Sequence, residues 1–317
     1  MTGPAKQRQR VFSWFSWAII LYNLGVIAFG TIVRATGSGA GCGPSWPRCG
    51  PEFVPVDPAT ETLIEFSHRA SSAAAGVLVA GLFLFSLWAF SKGHIVRKAA
   101  TASLVLVIIE GLLGAALVLG GWVDDDISVG RVIAVSLHLA NTFLLLGALT
   151  LTAWWGSGRT GPSLPLNRKQ LRWLIIGGVT LTAIGASGAL NAIGVAVFPT
   201  DIPLGGLEDE FGSLAPVLHR LRAVHPVIAV VGGMFVAWIA MKLSGRAHMA
   251  TQRLSAAVAI IVFSQMFVGI ANVFLLAPLA MQVTHLMVAD VLWIVFIIFS
   301  ASLIGEESEV SLGARSS

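Results

Sequence analysis

The sequence predicts an all-α integral membrane protein, with eight transmembrane helices arranged as two pseudo-repeated four-helix bundles. Three observations carry this. Of the 317 residues, 56% are hydrophobic and only 11% charged, and the mean hydropathy is +0.82, far from the composition of a soluble domain. Apolar runs recur at the length that ~30 Å of hydrocarbon requires, roughly 20 residues. The segments between them alternate between basic and acidic.

The first run, 12–34, follows Lys6, Arg8 and Arg10; its length and the spans behind it argue for a retained helix rather than a cleaved signal peptide. The next runs are 67–90, 99–121 and 131–154, then 173–195, 217–241, 254–276 and 283–304. Basic residues fall before the first span and in every second loop: Lys92, Arg97 and Lys98; Arg159, Arg168, Lys169 and Arg172; Lys242, Arg246 and Arg253. The other loops are acidic, with Glu52, Asp57, Glu61 and Glu65, then Asp124, Asp125 and Asp126, then Asp201, Glu208, Asp209 and Glu210. The positive-inside rule puts the basic loops and both termini in the cytoplasm. The net charge of +4 therefore reports topology, and no nucleic-acid-binding module is present.

The halves resemble each other. "EFSHRASSAAAGVLVAGL" opens the second span and "PVLHRLRAVHPVIAVVGG" the sixth, each with His-Arg at its outer end. In the third and seventh spans Glu110 matches Gln265 and Gly114 matches Gly269, and a helix with one histidine follows each. This predicts an N-terminal half (1–154), a cytoplasmic linker (155–172), a C-terminal half (173–304) and a solvated tail (305–317). Two hairpins per half give both halves the same orientation, so the repeat is parallel.

Of seven histidines, His94 and His248 lie in basic loops. Ionisable groups within spans are rare and mark function. His68, His138, His219 and His285 each lie near the start of an even-numbered helix, at similar depth below the outer face. Paired inward imidazoles on two helices of a bundle can hold a haem iron from both sides. His225 stands six residues after His219, about 240° around the helix, so the two cannot face one pocket. The His-Arg match favours His219, with His225 its rival. Arg69, Arg220, Arg34 and Arg131 are candidates for the haem propionates, because guanidinium pairs with carboxylates; snorkelling to lipid headgroups is the alternative for Arg34 and Arg131. Glu65 lies three residues before His68, on the same helix face, where a carboxyl group could accept protons.

The run "TGSGAGCGPSWPRCGP", then "EFSHR", a lone histidine in the fourth span, "HR" in the sixth and "TH" in the eighth together resemble the haem A synthases of cytochrome oxidase assembly, across all eight spans. The resemblance implies an enzyme oxidising a ring methyl of haem O to a formyl group. His68 and His138 would hold the substrate haem, His219 and His285 a resident haem b, with Glu65 catalytic. Cys42 and Cys49 match the family's outer-loop pair. On the oxidising side they would form a disulfide that pins a lid stiffened by Pro44, Trp46 and Pro47; a redox-active dithiol is the other reading. Some members carry a second cysteine pair that this chain lacks.

The expected setting is a bacterial plasma membrane, with both haem sites near its outer face. Expected partners are haem O, the haem O synthase supplying it, membrane lipid, an unidentified electron acceptor and a second copy of the chain. The main alternative is a non-catalytic bis-histidine cytochrome b carrying electrons. A thiol oxidoreductase would want a two-residue cysteine spacing rather than the six residues here. A prenyl-diphosphate site at Asp124, Asp125 and Asp126 lacks a second acidic cluster in register, and these aspartates mark an outer loop.

Overall fold

The computed structural model describes residues 3–124, 126–162, 167–197 and 217–316, with the side chains of Pro4, Val197, 217–223 and 307–316 outside the description. It contains α1 (Gly3–Ala35), α2 (Thr60–Ala89), α3 (Ile95–Leu119), α4 (Val129–Gly156), α5 (Arg168–Val197), α6 (Val217–Ser244), α7 (Met249–Phe274) and α8 (Leu279–Ser316). All eight are long and apolar enough to cross a membrane. Helices are what such sequences must form, because hydrocarbon offers no partner for an open backbone. Most helices run past the predicted apolar cores by several residues, since polar flanking turns continue the hydrogen-bond ladder into the interface. The predicted tail is helical: α8 runs unbroken to Ser316. Its Glu306 accepts from the His248 backbone N–H at 2.9 Å and from the Thr251 hydroxyl, fastening it to the start of α7. The acidic segment 198–216 and Asp125 lie outside the described residues.

Helices α1–α4 pack in a ring, each on the next and α4 back on α1, and α5–α8 form a second ring in the same order. The rings meet where α4 packs on α5 and α8, and α8 on α1. Accordingly α4 and α8 are the most buried spans.

One indole locks this seam. Trp293 stacks on Phe143 at 5.3 Å between ring centroids, and its Nε1 donates to the Phe143 carbonyl at 2.6 Å. The indole fits because Gly147 has no side chain: a methyl group there would stand 3.3 Å from Nε1. Gly147→Val should displace the ring and cost about 1–3 kcal/mol, read as a lower unfolding midpoint in detergent. An unchanged midpoint would mean that the seam tolerates separation at this point.

Above the first ring, residues 36–59 form the cysteine-bearing loop. Cys42 and Cys49 are joined in a disulfide. Its approach to α2 requires glycine at 41, where an added methyl would come within 2.5 Å of the Glu61 backbone. The Thr62 hydroxyl donates to the Gly41 carbonyl at 2.6 Å. On the far side, the Gly39 N–H donates to Asp124 Oδ1 at 3.0 Å, tying the loop to the α3–α4 connection.

Candidate functional site

The loop is also fastened through the two charged residues that flank His68. Glu65 is 3% exposed, and its Oε2 accepts the Cys42 backbone N–H at 2.6 Å. Its Oε1 takes Arg69 Nε at 3.0 Å and the Arg69 terminal nitrogen Nη2. Arg69 Nη1 reaches over to the carbonyls of Ser45 and Arg48, at 2.6 and 2.9 Å. One turn of helix, Glu65 to Arg69, thus satisfies three backbone groups of the loop and an internal ion pair. The sequence suggested acid–base and propionate roles for these residues; the structure adds a mechanical one that only the folded loop reveals.

The other arginines also have protein partners. Arg131, 4% exposed, donates to the carbonyls of Asp124 and Asp126, just before Ser128 caps α4 by accepting the Arg131 N–H at 3.2 Å. Arg34, at the end of α1, crosses the seam: it donates to the Ala192 carbonyl on α5 at 3.0 Å and to Gln282 Oε1 on α8 at 2.6 Å. The side chains of Arg220 and His219 lie outside the described residues.

The histidines follow a rule the sequence did not reveal. Each ring stands against a glycine of the preceding helix. A methyl group would lie 3.3 Å from the His68 ring if added at Gly30, 3.9 Å from His138 at Gly114, 3.1 Å from His225 at Gly188 and 3.1 Å from His285 at Gly269. The pattern runs α1 to α2, α3 to α4, α5 to α6 and α7 to α8, and the second-half partner of His68 in it is His225. The His225 and His285 rings are perpendicular, 6.4 Å apart between centroids. His138 lies nine residues after Val129, and His68 eight after Thr60, because both helices start before their apolar runs.

Phe29 sits edge-on to His68 at 5.7 Å, and Ser187 lies 2.9 Å from His225 Nδ1. Among the described residues the buried Nδ1 atoms of His68, His138 and His285 have no hydrogen-bond partner. Part-buried imidazoles, each beside a glycine of the preceding helix, suit a flat iron-bearing macrocycle that takes ring nitrogens as ligands. On these grounds the residues fit haem.

One buried group was missed altogether. Asp290 on α8 is 0% exposed, and neither carboxylate oxygen has a partner among the described residues. A lone acidic residue inside an apolar span was the signal available.

The family described as cytochrome oxidase assembly protein matches residues 13–297. A Protoheme IX farnesyltransferase of Thermus thermophilus is 42% identical over 305 residues, 95% of this chain and 49% of that protein. The chain thus spans about half the length of this relative. A Heme A synthase of Geobacillus kaustophilus is 38% identical over 144 residues, 44% of each chain. One from Bacillus mycoides is 43% identical over 115 residues, 36% of each.

Proposed function

Because the chain belongs to the family of cytochrome oxidase assembly proteins, we propose that it is a haem A synthase, oxidising a ring methyl of haem O to a formyl group. The observation that carries this is the duplicated geometry of four rings, each backed by a glycine, together with the buried Nδ1 atoms of His68 and His285, which have no hydrogen-bond partner among the described residues. In this reading His68 and His138 hold the substrate haem in the half 1–154. His225 and His285 hold a resident haem b in the half 173–304, in place of the pairing through His219. Bound haem supplies a one-electron redox centre. The positive-inside rule puts both sites near the outer face.

Converting the methyl to a formyl group with water as oxygen source releases four electrons and four protons, so the chain must pass electrons on and remove protons. Glu65, one turn ahead of His68, is the proton-accepting group in this reading. Arg69 and the disulfide loop keep that carboxylate in place and cover it from bulk water. The electrons leave through the second half to an external acceptor.

The Thermus relative's name raises prenyl transfer as a second reading. Among the described residues no group of three or more His, Cys, Asp and Glu could hold a metal ion, and the Asp124 carboxylate is engaged with Gly39. The geometry favours oxidation. A haem O synthase supplying the substrate is the partner that fits, and the name of the longer relative is compatible with such a link.

The test is pigment extraction from cells that make haem O and express the chain. Haem A should appear with the parent and be lost with His138→Ala. Haem A at parental level from that variant would sink the site, and none from the parent, in a haem-loaded membrane fraction, would favour the electron-carrier alternative.

A further inference from the structure

Glu110 and Gln265 occupy the same place in the two halves and do different things there. Glu110, on α3, faces α4. Asn141 donates its amide to Glu110 Oε2 and also to the Leu106 carbonyl, and the Thr142 hydroxyl donates to Glu110 Oε1. Both donors lie one turn beyond His138, three and four residues on, so they share its face of α4. Two donors, one on each oxygen, are the environment of an acceptor-only carboxylate. They aim Oε1 at the His138 ring, where it stands 3.5 Å from Nδ1, an atom with no other partner.

In the second half the positions three and four after His285 are Val288 and Ala289, which donate nothing. Gln265 instead turns its amide nitrogen to His285, 2.9 Å from the carbonyl and 3.3 Å from Nε2, and its Oε1 is left without a partner. One histidine is backed by a braced carboxylate and its counterpart by a neutral amide.

We propose that Glu110 is a positioning residue that orients His138 and strengthens it as an electron donor, and that the Glu110/Gln265 exchange makes the first half the easier one to oxidise. The proposal rests on the bis-histidine reading above. A carboxylate beside the free nitrogen of a ligating imidazole fixes its tautomer and raises its basicity. A more basic ligand stabilises the oxidised iron, so the first-half centre has the lower midpoint potential and gives electrons to the second. The direction of electron flow is thereby written into one pair of side chains.

The experiment uses the full chain in detergent, loaded with protohaem, with midpoint potentials followed by absorbance. In a His285→Ala background the signal comes from the first pair. There Glu110→Gln should raise the midpoint by at least about 59 mV, a tenfold change in a one-electron equilibrium. The low-spin spectrum should persist, and Glu110→Asp should restore part of the shift. In a His138→Ala background Gln265→Glu should lower the midpoint of the second pair. A low-spin haem whose midpoint does not move in either arm overturns the proposal. If Glu110→Gln does not fold, the Gln265→Glu arm decides by itself. If the parental spectrum is indifferent to His138→Ala and to His285→Ala alike, the bis-histidine reading has failed, and the proposal fails with it by a distinguishable route.

Discussion

Glu65→Ala is expected to disable the protein twice over, by releasing the outer loop and by removing the proton acceptor. The substitution strips Arg69 of its ion pair, leaves the buried Cys42 N–H without an acceptor, and frees the arm that holds the Ser45 and Arg48 carbonyls. Breaking a buried pair from one side costs about 3 kcal/mol or more, so a lower unfolding midpoint should accompany the loss of haem A. Glu65→Gln separates the two roles, because an amide oxygen still accepts one of these bonds. If proton transfer is the larger role, this variant stays close to parental stability and yields no haem A. If the clasp is the larger role, haem A falls only in proportion to folded protein. Parental stability in Glu65→Ala would show that the loop does not depend on this carboxylate.

The second large effect distinguishes two histidines six residues apart. His225→Ala should abolish haem in the second half, leaving a single low-spin centre in the purified chain, whereas His219→Ala should keep both. Two centres in His225→Ala would return the assignment to His219. The geometry behind the expectation is the 6.4 Å approach of His225 to His285 and the 3.1 Å clearance to Gly188.

These two residues also mark how far the sequence could be read. The spans were legible because hydrocarbon thickness fixes their length, and His68, His138 and His285 stood out because imidazoles are rare in such runs. The choice between His219 and His225 rested on a dipeptide. His-Arg recurs at the outer ends of α2 and α6, but which way a ring points depends on helix phase, and the helix start that sets the phase is not visible in an apolar run. Aligning the glycines would have served better: Gly30 precedes His68 by 38 residues and Gly188 precedes His225 by 37. Asp290 escaped because its repeat counterpart is Phe143, five residues after His138 as Asp290 is after His285, so the duplication gave it no echo. The protein contacts of Arg69 and Arg34 were hidden for another reason. They are loop carbonyls and residues up to 248 positions away, and backbone partners leave no trace in composition or spacing.

Arg34 bears on how the molecule comes to be built. It belongs to α1, yet its partners arrive later in synthesis, on α5 and α8. Until α8 is in place its guanidinium must remain hydrated among the headgroups, so α1 waits at the interface with its final tilt unset. Gln282 then acts as a latch carried by α8. The seam between the halves cannot be sealed before α8 has been made, and the order of translation becomes the order of closure, with the second half completing the first.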